Sequence, residues 1–262
     1  MDARLQRLLD FFRATGPTAV AFSGGVDSSL VLWAAATALG GQAMGVTVRS
    51  EFMSAEERQR AERMAAFLAH ATGVRVVARD ISALADARLR GNPADRCYRC
   101  KALVLAQVRH AADQALGASS AMAEGTNADD DPARPGLRAV AEARALSPLA
   151  ACRISKAEVR ELARLSGLPC ADDPSDSCLA TRVPEGLELT PGRLAAVEAL
   201  ERAARELGLA DLRARLTPGP GGDAALLLVR AAQLPLAQAQ AAALADRARA
   251  AGFADLSLGV RP

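Results

Sequence analysis

Between residues 17 and 39 the chain passes from a short apolar run, Pro17 to Phe22, through Ser23-Gly24-Gly25-Val26-Asp27-Ser28-Ser29, into a helical register that lasts to Leu39. No other segment restricts the fold as tightly. A short apolar run closed by glycines reads as a buried strand, and the loop joins it to a helix. Glycines let the backbone approach a ligand closely, and the first turn of a helix offers unpaired N–H groups to an anion. Ser23, Ser28 and Ser29 add hydroxyl donors. Such a loop fits a phosphate or a pyrophosphate. It is not a Walker A loop, because no Gly-Lys-Ser/Thr follows, and it is not G-x-G-x-x-G. The competing reading is an ordinary glycine turn with a serine cap.

Strand and helix patterns alternate through the first half. Strands are expected at Ala43 to Val48, Val74 to Ala78 and Ser120 to Ala123. Helices are expected from Ser54 to about His70, from Lys101 to Leu116 and from Ser155 to near Gly167. The second and last of these, counting from Ser28 to Leu39, open on capping boxes, Ser54 with Glu57 and Ser155 with Glu158. The alternation predicts an α/β fold, a doubly wound parallel sheet with helices on both faces. After Arg182 the pattern changes. A helix is expected over Thr190 to Leu207, short strands over Leu212 to Leu216 and Ala224 to Arg230 around a Gly/Pro turn (218 to 222), an Ala-rich helix over Pro235 to Ala251, and a last strand over Asp255 to Leu258. That is a smaller α+β domain, and the boundary falls between Pro184 and Thr190.

The chain has 262 residues, half of them apolar but only 3% aromatic, so its core is built from Ala, Leu and Val. At roughly 150 residues per domain this is one or two domains. A net charge of +2 excludes a protein that coats a polyanion with its whole surface. No apolar stretch reaches the roughly 18 residues of a membrane span, and the first residues lack a secretory apolar core. The expectation is a soluble cytoplasmic protein without membrane or nucleic-acid partners.

Five cysteines, Cys97, Cys100, Cys152, Cys170 and Cys178, are an odd number. In the cytosol that favours metal, cluster or sulfur chemistry over disulfides. In Arg96-Cys97-Tyr98-Arg99-Cys100-Lys101 two thiols share one C-x-x-C spacing, suited to a metal, a cluster or a redox disulfide, and three flanking cations favour thiolates. Cys178 lies in a polar loop, Asp172 to Arg182, with Arg182 close by. Three thiolates can hold a [4Fe–4S] cluster and leave one iron open. Both cysteine segments are placed in loops at one end of the sheet. Cys152 and Cys170 fit no such spacing and read as buried or incidental. Past the fourth strand, Glu124-Gly125-Thr126-Asn127-Ala128-Asp129-Asp130-Asp131 occupies the end of the sheet where α/β folds bind ligands, which makes Glu124 and Asn127 candidate nucleotide contacts. The alternative there is a solvated acidic turn. Arg134 to Arg138 and Ser147-Pro148-Leu149 read as further substrate or nucleotide loops.

The SGGVDSS string resembles the pyrophosphate loop of the N-type ATP pyrophosphatases, the PP-loop superfamily, whose members split ATP between the α- and β-phosphates and adenylylate an acceptor oxygen. The resemblance implies that Ser23, Gly24, Gly25, Asp27 and Ser28 hold pyrophosphate, with Asp27 toward Mg²⁺. The ordered set SGGVDSS, RCYRCK, EGTNADD, RPGLRA, SPL and DSCLATR, with Asp211-Leu212-Arg213-Ala214-Arg215 further on, is similar to the LarE family over nearly the full chain. LarE proteins are ATP-dependent sulfurtransferases. They convert the carboxylates of pyridinium-3,5-biscarboxylic acid mononucleotide to thiocarboxylates in making the nickel-pincer nucleotide of lactate racemase. One form of the family sacrifices a single cysteine, which matches Cys178. The other carries the sulfur on a [4Fe–4S] cluster held by three, which match Cys97, Cys100 and Cys178. The resemblance places this chain in the second form, with ATP, Mg²⁺ and the cluster as cofactors and with Cys178 and Asp27 as the catalytic residues. It implies that Arg182, Glu201, Arg213 and Arg215 bind the substrate, the two strand arginines at its phosphate. Those two alternate on one strand face, where the other reading is a solvated face. On this basis residues 1–186 form the ATP pyrophosphatase domain with the cluster cysteines, and 187–262 a substrate and oligomerisation domain. A homo-oligomer is expected, with the Ala-rich helix able to pack on a neighbour. The rival within the superfamily is a tRNA thiolase, against which stand the near-neutral charge and the lack of a basic appendage.

Overall fold

The computed structural model describes residues 2–174, 177–219 and 221–261. Ser175 and Asp176, from the segment before Cys178, and Pro220, from the Gly/Pro turn, lie outside the described residues. The chain separates into two compact units. The first takes Met1–Ser50, Ala55–Ile81 and Asp95–Ser175, and the second Glu51–Ser54, Ser82–Ala94 and Asp176–Pro262. Two short segments from within the first 94 residues thus join the second unit.

The first unit begins with α1 (Ala3–Thr15), then β1 (Thr18–Ala21), α2 (Val26–Leu39), β2 (Ala43–Arg49), α3 (Ala55–Thr72) and β3 (Arg75–Asp80). A short helix α4 (Ala87–Arg90) belongs to the second unit. The first unit resumes with α5 (Arg96–Leu116), β4 (Ala121–Ala123), α6 (Pro135–Glu142), α7 (Pro148–Ala151) and α8 (Lys156–Leu165). Its sheet is parallel throughout, in the order β3-β2-β1-β4. Because strand side chains alternate, each strand feeds two cores. Val20, Ala43 and Ala123 join the apolar layer made with Leu5, Leu8, Leu9 and Phe12 of α1, Leu30 and Val31 of α2, and Val159 and Leu162 of α8. Ala19, Met44, Val46 and Met122 face the other way, onto Val108, Ala111 and Ala112 of α5. The doubly wound parallel sheet expected from the alternation is the one observed. The chain leaves β1 toward β2 and later returns to β1's other side as β4, so the carboxyl ends of β1 and β4 form the switch point where such sheets take ligands.

The second unit continues with α9 (Pro191–Glu206), β5 (Arg213–Thr217), β6 (Ala224–Val229), α10 (Leu234–Ala239), α11 (Ala241–Ala250) and β7 (Leu256–Val260). Its three-stranded sheet pairs β5 with β6 antiparallel and β6 with β7 parallel.

Four local expectations are corrected. The Ala-rich helix is two helices, because Gln240 leaves helical dihedrals and donates its side-chain amide to the Leu207 carbonyl at the end of α9, 3.1 Å away. The C-x-x-C does not lie in a loop: α5 starts at Arg96, so Cys97 sits on its first turn and Cys100 on its second. Arg134 to Arg138 is not a loop either, since Pro135 opens α6 at a position where its missing N–H costs nothing. Ser147-Pro148-Leu149 leads into the single turn α7. The helix α1, which no sequence motif announced, seals one face of the sheet. Its Phe12 is fully buried, so Phe12→Ala is expected to cost about 3–5 kcal/mol, measured by urea unfolding. A loss no larger than that of a surface substitution, about 0.5 kcal/mol, would remove α1 from the core.

Candidate active site

The loop after β1 is built by steric demand. Gly24 has φ +77°, and a Cβ there would collide with the backbone of Ala61 on α3. Ser23 and Ser28 hold the loop shut from inside. Their hydroxyls are 3.1 Å apart, the Ser28 hydroxyl donates to the Gly25 carbonyl (3.1 Å), and the Ser23 amide donates to the Ser28 oxygen (3.2 Å). Gly25 is the N-cap of α2, and no side chain caps that end. The first turn therefore keeps its donors for an anion.

The loop after β4 closes on the same place. A Cβ on Gly125 would stand 3.0 Å from the Ser28 nitrogen and 3.1 Å from the Asp27 Cβ, so only glycine lets the two loops meet. Asn127, buried in its loop, donates its side-chain amide to Asp27 Oδ1 at 3.1 Å. The other Asp27 oxygen is paired closely with the ammonium of Lys156. Lys156 is the first residue of α8. The reciprocal Ser155–Glu158 capping box sets the start of that helix, and the Lys156 backbone amide donates to Asp129 (2.8 Å). One side-chain amide and one cation thus converge on a single carboxylate.

Glu124 stands apart from this cluster. It is 3% exposed. Its carboxylate receives the Lys101 ammonium (3.0 Å), the Ser147 hydroxyl (2.7 Å) and the Thr126 amide (3.0 Å). Ser147 reaches it because Leu146 continues the sheet beside β4. Burial pushes the carboxyl up, but the Lys101 charge and the hydrogen bonds from Thr126 and Ser147 outweigh it and hold it below the ordinary glutamate range. Glu124 thus fastens α5, the helix of the C-x-x-C, to the nucleotide-side loop.

The cations around the C-x-x-C do not act as three equals. Arg99 is bonded to Asp95 (2.7 Å) and Lys101 to Glu124, while Arg96 lies 3.9 Å from the Cys97 sulfur. Cys97 is exposed and Cys100 half-buried, one turn apart. An open groove of about 450 Å³ runs beside them, along Asp95, Tyr98, Pro132 and Arg138. The Arg138 guanidinium covers the Tyr98 ring at 4.5 Å. Cys170 is in the core and Cys152 is packed against it, and burial pushes both thiols up. None of the five cysteines is in a disulfide. Among the described residues no three His, Cys, Asp or Glu side chains stand together as a metal centre.

In the second unit, Cys178 is half-buried and precedes a 3-10 turn, Leu179–Arg182. Arg182 and Glu201 are both buried and form an ion pair at 2.9 Å. On β5, Arg213 is buried and Arg215 exposed, although they share one face of the strand. Arg215 donates to the Thr181 carbonyl at 3.4 Å.

Sequence reading missed Lys156 and undervalued Lys101. Lys156 follows the recognised Ser155 cap directly, so its place at the head of a helix was available as a signal. Lys101 was read only as a neighbour of Cys100.

A parallel α/β sheet, a glycine loop running into an uncapped helix and a carboxylate at its mouth make up the fold of the PP-loop superfamily. The family model described as asparagine synthase matches residues 9–116. An uncharacterised protein of Synechocystis is 35% identical over 216 residues, 82% of this chain and 78% of that one. The pyridinium-3,5-bisthiocarboxylic acid mononucleotide synthase of Lactiplantibacillus plantarum is 34% identical over 198 residues, 75% of this chain and 70% of its own. This chain belongs to the family of that synthase, the LarE family. No helix among the described residues is long and apolar enough to cross a membrane.

The Glu124 node generates a test. A carboxyl whose folded pKa is depressed adds stability above its unfolded pKa and loses it as the pH falls through the folded one. Glu124→Gln is therefore expected to lose about 3 kcal/mol at neutral pH, because Lys101 is left without its charge partner. The gap to wild type should close on acidification below the ordinary glutamate range. Urea titrations at several pH values check this, and a pH-independent gap would contradict it.

Proposed function

We propose that this protein is an ATP-dependent sulfurtransferase acting on pyridinium-3,5-biscarboxylic acid mononucleotide, in the making of the nickel-pincer nucleotide of lactate racemase. Family membership supports the reading. The observation that carries it is the convergence of Asp27, Asn127 and Lys156 at the uncapped start of α2.

A carboxylate is a poor electrophile. In this reading one of its oxygens attacks the α-phosphorus of ATP, the bond from that phosphorus to the bridging oxygen breaks, and pyrophosphate leaves. Sulfide sulfur then attacks the carbonyl carbon of the acyl adenylate. AMP departs with the shared oxygen, and a thiocarboxylate remains. Ser23, Gly24, Gly25 and Ser28 receive the pyrophosphate through backbone N–H groups and hydroxyls. Lys156 adds the cation that offsets its charge. Asp27 is the carboxylate suited to Mg²⁺, a hard cation that takes oxygen ligands. Arg213 and Arg215 are assigned to the substrate phosphate, for which the guanidinium fork is suited.

Cys97, Cys100 and Cys178 are three thiols outside any disulfide, two of them one helical turn apart, and in kind and number they fit a [4Fe–4S] cluster. Bound there, the cluster supplies an iron with an open position for the sulfur to be transferred. The alternative reading is that Cys178 gives up its own sulfur, as in the single-cysteine form of the family. The substrate in both readings is a small nucleotide, not RNA, and the protein works as a homo-oligomer.

Single Cys→Ser variants separate the two readings. With a cluster, serine at 97, 100 or 178 removes most iron and most transfer, serine at 152 or 170 does neither, and Cys178 keeps its mass after turnover. A dehydroalanine at 178 in an active, iron-free protein would exclude the cluster, and thiolated tRNA would move the assignment to the rival class.

A further inference from the structure

Arg182 and Glu201 look inward. The Arg182 Nε and Nη2 donate to the two Glu201 oxygens at 2.9 and 3.4 Å. Its Nη1 is held by the Ser177 hydroxyl (2.7 Å), the Cys178 carbonyl (3.1 Å), the Thr181 hydroxyl (3.1 Å) and, most closely, the Ser177 carbonyl. Every nitrogen of the guanidinium is therefore engaged inside the unit. The side chains of both residues are only 4% exposed. Glu201 is equally committed: beyond Arg182 it accepts the Ala214 backbone amide at 3.0 Å and an Arg205 nitrogen at 3.5 Å. Ala214 lies between Arg213 and Arg215 on β5.

The Cys178 backbone is fixed from two sides by this arrangement. Its carbonyl accepts from Arg182, from the Thr181 amide (3.0 Å) and from the Thr181 hydroxyl (2.7 Å). On the other side, the amide of Leu179 donates to the Phe52 carbonyl at 2.9 Å. One buried ion pair thus links the cysteine to the strand of the two arginines. A buried pair of this kind adds little stability over well-packed apolar residues, whereas it does fix one arrangement of the groups it bonds.

We propose that Arg182, braced by Glu201, is a positioning residue for Cys178: it sets the backbone of the cysteine segment and its register against β5, and it does not contact the substrate. The proposal rests on the reading of Cys178 as the residue that brings sulfur to the acyl adenylate. Lysine cannot replace arginine here. A single ammonium has no planar fork to span the carboxylate and two carbonyls at once.

The test uses Arg182→Lys in the full-length protein. First, the chain is freed of iron by chelation, and iodoacetamide labelling of each cysteine is followed by peptide mass spectrometry. Cys178 is expected to label several-fold faster than in wild type, while Cys97 labels at its wild-type rate. Second, turnover with ATP, sulfide and the dicarboxylate mononucleotide is expected to lose kcat by about 100-fold, the scale of an ångström-sized misplacement. Its KM and its pyrophosphate release should be retained. Unchanged Cys178 labelling with a raised KM and wild-type kcat would overturn the proposal and return Arg182 to the substrate. If Arg182→Lys fails to fold, Glu201→Gln keeps the shape of the brace without its charge and is expected to shift labelling and kcat in the same direction. Should wild type make no thiocarboxylate, the proposed function falls, while the labelling still decides whether Arg182 positions Cys178.

Discussion

The Asp27 end of the parallel sheet depends on two contacts that exclude a Cβ. Gly24 lies against the backbone of Ala61, and Gly125 lies against Asp27 and Ser28. The first seats the β1 loop on α3, and the second brings the loops after β1 and β4 together at the switch point of the sheet, where Asn127 reaches Asp27. Lys156 completes the cluster from the head of α8. A larger side chain at Gly125 would part the two loops, and the carboxylate would lose Asn127. The parallel order β3-β2-β1-β4 and the two apolar layers that flank it keep this junction rigid from behind.

Glu124 and the Arg182–Glu201 pair are placed differently from Asp27. They are almost fully buried, and their polar atoms are turned to neighbours inside their own units. Glu124 ties the helix of Cys97 and Cys100 to the β4 loop. Arg182 ties the Cys178 segment to β5 through Glu201. Each cysteine segment therefore has a buried charge pair as its anchor. Asp27 and Lys156, by contrast, are both partly open.

Much of the first unit was legible in sequence because its signals are local. The glycine string, the Ser155–Glu158 box and the apolar runs of β1, β2 and β4 each specify structure within a few residues. The family was legible for a related reason, since its motifs are short strings in fixed order. The rest depends on contacts made across long sequence separations. Glu124 reads as a ligand-loop residue until Lys101 and Ser147 close on it from 23 residues away on either side. The pairing of Arg182 with Glu201, 19 residues apart, has no local sequence signal. The break at Gln240 needs the end of α9, which no helix propensity registers. Helix α1 has the apolar spacing of an amphipathic helix but no motif that draws attention to it. The boundary placed at 186/187 cannot register that residues 51–54 and 82–94 pack with the second unit.

The central claim is that the Asp27 loop activates a carboxylate so that sulfur can replace one of its oxygens. It is tested most directly by incubating the protein with ATP, Mg²⁺, sulfide and pyridinium-3,5-biscarboxylic acid mononucleotide, then weighing the product while counting pyrophosphate. The account predicts one pyrophosphate and one AMP for each oxygen exchanged for sulfur, and neither product from Asp27→Ala. Thiocarboxylate formed without pyrophosphate, or at the wild-type rate by Asp27→Ala, would contradict it.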